Sequence, residues 1–307
     1  MQKELNAAAQ KFGDRAVVCD VGILDAVKND VETLKTSNHY GEAAKIVVKH
    51  FYNFNLPETD FPINSLVLVA KTEPIVNVAF CLDGREVTLY TKNAYKDARK
   101  PHEQPGVYLH KLFEDNGFRL QEWGWGIPLK ILAVRSGLAR YGRNNLAYVD
   151  GLGSRHSLSL FVSDAECGQI SVFELGQMDS CATCRECLNA CPTMAISTDR
   201  EQIFIERCLT YLNEFVGLCD FPDWLSPTAH HSTQGCIRCQ LSCPVNGDVK
   251  RIITPIRFDE SETKLLLSGA EESDLSEETR NKLQAINELE YLHLLPRNLA
   301  AALDNME

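Results

Sequence analysis

The sequence contains no long hydrophobic run and neither of two common nucleotide-binding signatures. No stretch approaches about eighteen consecutive apolar residues, the length that a membrane-spanning helix requires. Neither G-x-G-x-x-G nor G-x4-G-K-[ST] occurs, so the sequence predicts no dinucleotide site and no P-loop. The first residues show no apolar signal core and no twin-arginine pair, and we therefore expect a cytoplasmic protein that does not enter a membrane.

The sequence has fewer basic than acidic residues. The chain has 31 Lys and Arg against 42 Asp and Glu, a formal net charge of −11. Proteins bind phosphate backbones with clustered Lys and Arg. The excess of acidic residues therefore argues against nucleic acid as the default partner, but it does not exclude a tRNA substrate. Hydrophobic residues at 44% and charged residues at 24% are ordinary for a globular protein.

Cysteine, by contrast, is abundant, with 12 residues in 307. The first run is C-x2-C-x2-C-x3-C-P, formed by Cys181, Cys184, Cys187 and Cys191 before Pro192. Bacterial-type ferredoxins hold 4Fe–4S clusters with this spacing, in which the fourth cysteine ligates the other of two clusters. Without an export signal, so many cysteines indicate a reducing compartment in which thiolates are available to metal.

A second run, C-x2-C-x3-C-P, contains Cys236, Cys239 and Cys243 but lacks a leading cysteine. In a two-cluster ferredoxin the leading cysteine of the second run follows a short apolar stretch, and Cys208 holds that position here. An insert of 27 residues, 209–235, separates Cys208 from Cys236. Cys219, inside the insert, is the rival ligand, and we favour Cys208. By the crossing rule, cluster one takes Cys181, Cys184, Cys187 and Cys243, and cluster two takes Cys191, Cys208, Cys236 and Cys239.

Strand and helix signals are mixed rather than alternating, which favours an α+β layered sheet over a doubly wound parallel sheet. We predict three domains: an α+β domain over 1–175, a ferredoxin-like domain over 176–255 and a helical tail over 256–307. Residues 65–70 form a continuous apolar run, typical of a strand buried on both faces. Residues 75–80 and 86–90 flank Asp83-Gly84, a hairpin signal.

The remaining elements are predicted from periodicity and from turn residues. Residues 230–235 indicate a polar loop whose two histidines are not metal ligands, and residues 259–264 indicate an acidic surface stretch. Helices are predicted over 2–12, 41–54, 105–116, 128–138 and, divided near Pro296, 277–304; further strands are predicted at the start of 16–24 and over 118–122, 145–149, 157–162 and 170–175.

Several segments together resemble epoxyqueuosine reductases. The stretch R-S-G-L-A-R-Y-G-R-N-N from Arg135 is similar to that family's R-x-G-L-x-x-x-G-[KR]-N, and Gly153-Ser154 leads into a strand as it does there. R-C-L-T-Y-L at 207–212 and G-C-I-R-C-Q-L-S-C-P at 235–244 also match family segments. The resemblance covers about residues 60–250 well and R-N-L-A-A-A-L in the tail weakly. Reductive dehalogenases are more distant relatives.

The resemblance implies a base-off cobalamin, without a protein ligand to cobalt, in a nitroreductase-like α+β domain over 1–175. The cofactor would perform the reduction, and the protein would supply electrons and orientation. Two residues beside cluster cysteines, Thr210 and Gln240, are expected at the corrin edge. The residues carried over from the family to line the corrin are Arg135, Gly137, Gly142, Arg143, Asn144, Asn145, Gly153 and Ser154.

One departure from the family concerns the proton donor. Epoxyqueuosine reductases carry an Asp-Tyr-His segment, and this sequence has none. Reductive dehalogenases use a tyrosine beside a basic residue, and Tyr95-Lys96 imitates that pair. Tyr95 is therefore the expected catalytic residue, with Tyr90, Asp97 and His102 as alternatives.

Two functions follow as expectations. The first is a cobalamin-dependent reductase that takes electrons from a low-potential donor, a ferredoxin or flavodoxin, through two 4Fe–4S clusters. Its substrate would be a small organic molecule or a modified nucleoside that loses oxygen or halide. The second is a non-catalytic iron–sulfur electron carrier or corrinoid-activating protein.

Overall fold

The computed structural model describes residues 1–36, 41–73, 75–92, 103–124, 126–168, 171–199, 202–214, 220–247 and 251–304. The chain divides into two compact units. The N-terminal unit consists of Met1–Glu73, Ala98–Arg185 and Thr198–Gln202. The C-terminal unit consists of Pro74–Asp97, Glu186–Ser197 and Ile203–Glu307. None of the helices in these ranges is long and apolar enough to cross a membrane.

The strands and helices are as follows. The strands are β1 (Arg15–Asp20), β2 (Ser65–Thr72), β3 (Ile75–Leu82), β4 (Arg85–Lys92), β5 (Leu120–Glu122), β6 (Ala139–Tyr141), β7 (Ala147–Val149), β8 (His156–Ser163) and β9 (Arg251–Phe258). The helices are α1 (Gln2–Lys11), α2 (Ile23–Thr36), α3 (Glu42–Phe51), α4 (Glu103–Asp115), α5 (Leu129–Arg135), α6 (Glu186–Asn189), α7 (Leu209–Glu214), α8 (Arg238–Leu241), α9 (Glu260–Leu267), α10 (Glu277–Ala285) and α11 (Leu295–Asp304).

The N-terminal unit is built on an antiparallel sheet in the order β1-β2-β8-β5. Successive β2 residues point to opposite faces: Leu66 and Leu68 join a core with α2 and α5, whereas Val67 and Val69 join a core with α1 and α4. Helices therefore cover both faces of the sheet. The prediction that β2 is buried on both faces is confirmed, because residues 66–70 have no exposed surface.

The C-terminal unit contains a three-stranded sheet in the order β4-β3-β9. The predicted hairpin of β3 and β4 is confirmed, with Asp83 and Gly84 both at positive φ in its turn. β9, which the sequence did not predict, pairs in parallel with β3 and contains Pro255, a residue that weakens a strand signal. This pairing joins the hairpin to the chain's C-terminal half, so the observed units do not follow the predicted domain boundaries.

Several predicted elements need correction. Residues 171–175 form no strand, since the Phe173 N–H donates to the Arg135 carbonyl instead, at 2.9 Å. Helix α2 was not predicted, and the predicted acidic surface stretch at 259–264 begins α9, which Asp259 caps through a capping box with Glu262. The prediction of two helices over 277–304, divided near Pro296, is confirmed by α10 and α11, with Pro296 in the first turn of α11, where a missing N–H costs little.

Candidate iron-sulfur site

Three of the four cysteines predicted for cluster two come together in the C-terminal unit. The Cys191 thiol acts electrostatically on both Cys208 and Cys236, and Cys208 acts on Cys236. The fourth predicted ligand, Cys239, lies on α8, which begins two residues after Cys236. The chain therefore gathers thiols from both sides of the 209–235 insert into one place.

Backbone N–H groups point at these sulfur atoms. The Cys208 sulfur accepts hydrogen bonds from the N–H groups of Thr210 and Tyr211, at the start of α7, and from the Thr210 hydroxyl. The Cys236 sulfur accepts from the Arg238 N–H, and the Cys191 sulfur from the Ala195 N–H at 3.3 Å. Hydrogen bonds to the charged form stabilise a thiolate, and hydrogen bonds to cluster sulfurs help to set the reduction potential.

Burial acts against these hydrogen bonds when no metal is bound. It raises the pKa of the Cys236 thiol to about 12, and it also raises the pKa of Cys208. Three buried thiols that repel one another as anions require a cation to become thiolates, and iron supplies that charge. The donor set therefore fits a thiolate-bound cluster, and metal binding must release protons.

A single metal ion and a 4Fe–4S cluster require different ligand arrangements. Among the residues that the structure describes, no three His, Cys, Asp or Glu side chains are placed to hold one metal ion. A 4Fe–4S cubane has a separate iron for each of its four cysteines, so its ligands are spread more widely than those of a single ion.

The first cysteine run lies at the division between the two units. Cys181 is buried in a 3₁₀ turn (Asp179–Cys181), and its carbonyl accepts a hydrogen bond from the Arg143 guanidinium. Cys181 and Cys184 belong to the N-terminal unit, whereas Cys187, on α6, and Cys243 belong to the C-terminal unit. The ligand set of cluster one stays a prediction.

Arg135, predicted to line a corrin, is engaged by its own chain. Its guanidinium forms a two-bond ion pair with Asp30 on α2, with Nε–Oδ2 at 2.7 Å and Nη2–Oδ1 at 2.6 Å. Its Nη1 donates to the Phe173 carbonyl at 2.9 Å. The hydrogen bond with Asp30 raises the pKa of Arg135, so the guanidinium stays charged and ties α5 to α2.

We expect Arg135→Ala to lower the free energy of unfolding by about 2 kcal/mol whether or not a cofactor is present, because it leaves the largely buried Asp30 unpaired. Thermal unfolding of the variant with and without added cobalamin measures this. The matched control is Arg140→Ala, since Arg140 is exposed on β6. A stability loss that appears only when cobalamin has been bound would contradict this structural role.

The neighbouring predicted residues are also used in packing. A Cβ at Gly137 would stand 2.5 Å from the Phe173 ring, and one at Gly142 would stand 2.4 Å from the Tyr148 ring. The Asn144 Nδ2 donates to the Tyr148 hydroxyl at 3.0 Å. Gly142 and Asn144 are therefore fixed by close packing within the β6–β7 hairpin, whereas Gly137 packs against Phe173 at a positive φ. These contacts explain why glycine stands at positions 137 and 142.

The other carried-over residues occupy turns or cluster segments. Asn145 and Gly153 both have positive φ, Gly153 exchanges two backbone hydrogen bonds with Val149, and Ser154 follows it in the same turn. Gln240 is buried on α8, and its carbonyl accepts from Asn246 at 2.6 Å. Thr210 bonds the Cys208 sulfur, as described above.

The expected catalytic Tyr95 lies outside the described residues, as do Lys96, Asp97, His102 and the rival ligand Cys219. Tyr90, an alternative donor, lies on β4. Its N–H donates to the His231 carbonyl and its carbonyl accepts from the Thr233 N–H, both at 3.1 Å. The end of the insert thus pairs with β4.

Residues 230–235 form an irregular polar loop, as predicted, but the loop is largely buried. His230 packs on Phe221 with ring centroids 4.4 Å apart, and burial lowers its pKa to about 4, so it is neutral. Ser232, Thr233 and Gln234 are also buried. Pairing with β4 satisfies the backbone, a tertiary effect that the local sequence does not reveal.

The sequence analysis missed Glu288. This side chain is buried, and its Oε1 accepts hydrogen bonds from Thr91 on β4 and Thr233 in the insert, both at 2.5 Å. Burial raises its pKa. No local signal marks it, since it stands among other acidic residues in N-E-L-E-Y.

Comparison with known proteins agrees with this geometry. Residues 180–246 match a family model described as a 4Fe-4S double cluster binding domain. An epoxyqueuosine reductase from Francisella cf. novicida (strain Fx1) is 25% identical over 224 residues, 68% of this chain and 60% of that protein. A tetrachloroethene reductive dehalogenase from Dehalobacter restrictus (strain DSM 9455 / PER-K23) is 29% identical over 132 residues, 43% of this chain and 22% of that protein. A solved epoxyqueuosine reductase structure from Bacillus subtilis has a TM-score of 0.65 at 18% identity, covering 99% of this chain and 81% of that one.

These findings first define a class: a mixed helix-and-sheet protein with a double 4Fe–4S cluster domain. Within that class, the predicted resemblance to epoxyqueuosine reductases and, over a shorter stretch, to reductive dehalogenases is confirmed. The fold is that of the solved epoxyqueuosine reductases. The chain spans 60% of the length of the Francisella relative.

Proposed function

We propose that this chain is a cobalamin-dependent iron–sulfur reductase that carries electrons through two 4Fe–4S clusters and removes oxygen or halide from an organic substrate. The observation that supports it most is the meeting of Cys191, Cys208 and Cys236, with N–H groups directed at their sulfurs. When bound, cobalamin would supply low-valent cobalt as the reductant.

Most polar groups of the Arg135–Asn144 stretch have partners within the chain, although the buried Arg143 Nε has none among the described residues. Within that stretch, Asp30, Phe173, Tyr148 and Cys181 take up the polar groups of Arg135, Asn144 and the Arg143 Nη2. Elsewhere, the amide of Gln234 and the hydroxyl of Ser242 are buried with no partner among the described residues.

Gln234 lies two residues before Cys236, and Ser242 directly precedes Cys243. A buried amide without partners costs about 1–3 kcal/mol for each unmade bond, so a ligand rich in amides would stabilise both side chains. Gln234 and Ser242 are therefore the residues that would hold the cofactor, and Thr210, two residues after Cys208, stays a predicted contact at the corrin edge.

The remaining roles in the proposed reduction are charge stabilisation at the cluster, proton donation to the substrate and electron supply. The N–H groups that donate to the sulfur atoms of Cys191, Cys208 and Cys236 would offset the negative charge that cluster two gains on reduction. Tyr95, with Lys96 to supply charge, would donate the proton to the substrate. The name of the epoxyqueuosine reductase relatives favours a modified tRNA nucleoside as the substrate, and a reduced ferredoxin or flavodoxin would supply the electrons.

A second function is favoured by one observation, namely that the residues predicted to line a corrin have partners within their own chain. In that case the protein is an iron–sulfur electron carrier or an activator of a separate corrinoid protein. Its clusters would form in the same way, and no cobalamin would be retained.

The deciding experiment is metal analysis of protein reconstituted without oxygen, offered cobalamin and desalted. We expect about eight irons and about one cobalt per chain. Gln234→Leu should retain the iron and lose about tenfold in cobalamin affinity, since about 1.4 kcal/mol corresponds to tenfold. Gln284→Leu, at an exposed position on α10, is the matched control. Eight irons without cobalt in the unaltered protein would instead establish the electron-carrier function.

A further inference from the structure

Arg297 and Asn298, in the first turn of α11, form a closed hydrogen-bond network with the insert. Asn298 is buried, and its Oδ1 accepts from the Arg297 Nε at 3.2 Å and from the Arg297 Nη2 at 2.9 Å. Its Nδ2 donates to the Asn213 carbonyl at 3.1 Å and to the Thr233 carbonyl at 2.9 Å. Every hydrogen-bonding position of this amide is therefore used, which holds the side chain in one orientation.

Arg297 binds the end of α7, the helix that begins the insert. Its Nη2 donates to the Leu212 carbonyl at 2.8 Å and to the Asn213 carbonyl at 3.3 Å, both in the last turn of α7. Its guanidinium also lies over the Phe221 ring, 4.1 Å from the ring centre. The last carbonyls of a helix have no partner within the helix, so Arg297 fixes the place where α7 ends.

The same network reaches the peptide that precedes Cys236. Asn213 is buried, and its Nδ2 donates to the Gly235 carbonyl at 3.0 Å. The Ser232 hydroxyl donates to the same carbonyl at 2.9 Å. Gly235 has a φ of +68°, which a residue with a side chain adopts only under strain. The peptide between Gly235 and Cys236 is therefore held in one orientation.

Both segments that the pair holds carry predicted ligands of cluster two. Helix α7 begins directly after Cys208, and the N–H groups of Thr210 and Tyr211 in its first turn donate to the Cys208 sulfur. The other segment leads directly into Cys236. Because the strength of a hydrogen bond falls steeply with distance and misalignment, the position of α7 sets the strength of the N–H bonds to the Cys208 sulfur.

We propose that Arg297 and Asn298 are positioning residues for cluster two, which hold α7 against the Cys208 sulfur and thereby raise the reduction potential of the cluster. The proposal rests on the proposed function only in requiring that the clusters form. When the cluster takes one electron from its donor, its negative charge grows, so N–H groups directed at its sulfur ligands stabilise the reduced form. Moving α7 away would weaken that stabilisation and lower the potential.

Asn298→Leu tests this role, since leucine has a similar size but no hydrogen-bonding group. We expect cluster two to hold its electron about tenfold less tightly, a midpoint potential about 59 mV lower. A redox titration of the reconstituted protein, followed by electron paramagnetic resonance, measures the potential, and the signal missing from Cys208→Ser identifies cluster two. The potential of cluster one should not change.

Two control variants separate this effect from a general loss of stability. Asn281→Leu makes the same change at an exposed position on α10. Asp259→Ala removes the cap of α9 and destabilises the same unit at a site distant in sequence from the cysteines. Both should leave the two potentials unchanged.

Arg297→Lys provides a second variant at the pair. It keeps the positive charge, but an ammonium group lacks the planar fork with which the guanidinium bonds Asn298 and the α7 carbonyls together. We expect cluster two to hold its electron about threefold less tightly. If Asn298→Leu binds only about four irons, Arg297→Lys, which alters the network less, still measures the potential.

Unchanged potentials in both variants, even with a lower unfolding temperature, would overturn the positioning role and leave the proposed function intact. Unaltered protein with eight irons and no retained cobalt would instead fail the reductase function, while the shift in potential would still support the role of the pair. If the unaltered protein holds only about four irons, cluster two does not form and both proposals fail.

Discussion

Replacing Cys208 by serine should remove about four of the eight irons that the reconstituted protein holds. In the structure the Cys208 thiol interacts electrostatically with the thiols of Cys191 and Cys236. Its sulfur also accepts three hydrogen bonds, which stabilise a thiolate. A serine hydroxyl at the same place keeps the hydrogen bonds but is a poor ligand for a cluster that prefers thiolates. Iron and sulfide analysis, with the electron paramagnetic resonance spectrum of the reduced protein, measures the loss.

Cys219→Ser is the matched control for this experiment. Cys219 lies in the same insert and was the rival ligand in the sequence, so the two variants separate the alternatives directly. We expect Cys219→Ser to keep about eight irons. The reverse result, with iron kept in Cys208→Ser and lost in Cys219→Ser, would show that the ligand set of cluster two is wrong.

Replacing Glu288 should have the largest effect on stability. Glu288→Ala is expected to lower the free energy of unfolding by about 3 kcal/mol, because it opens a cavity and leaves the buried hydroxyls of Thr91 and Thr233 without an acceptor. It also releases the end of the insert from β4, three residues before Cys236. Unfolding of the reconstituted protein without oxygen measures the change, and Glu290→Ala, at an exposed position two residues away, is the control.

The pH dependence of Glu288→Gln provides an independent check. Burial raises the pKa of Glu288 in the folded protein, so the folded state holds this proton more tightly than the unfolded state does. Its contribution to stability is therefore complete below the unfolded pKa and is lost as pH rises through the folded value. Glutamine does not titrate, so the variant should gain stability relative to the unaltered protein as pH rises over the range from the ordinary pKa of a glutamate to the raised pKa of Glu288. A difference that stays constant over this range would contradict the raised pKa.

The candidate site could be predicted from the sequence to the extent that local spacing specifies it. C-x2-C-x2-C-x3-C-P needs only a short turn of chain to present thiols to one cluster, so it is visible without tertiary structure. Cys208 could be suggested from its place after a short apolar stretch, and the choice between Cys208 and Cys219 stays a prediction, because Cys219 lies outside the described residues. Glu288 was missed because its partners, Thr91 and Thr233, are distant in the sequence, and Gln234 because the burial of its loop is a tertiary effect.

The residues predicted to line a corrin came from a family resemblance and not from local spacing. A family segment drew attention to Arg135, Gly137 and Gly142, and in the structure each of these makes close contacts with its own chain. A shared segment can reflect a shared scaffold as well as a shared ligand, because both restrict which side chains are tolerated. The affinity of Gln234→Leu for cobalamin and the stability of Arg135→Ala distinguish the two.

The sequence by itself determined the iron–sulfur chemistry, the buried strand β2 and the β3–β4 hairpin, since each is encoded by spacing, periodicity or turn residues over a few positions. Only the tertiary structure decided that Cys191, Cys208 and Cys236 meet, that β9 pairs with β3 and that the 230–235 segment is buried. These features depend on contacts between distant segments, and they form because burying apolar surface and pairing backbone groups together outweigh local preference.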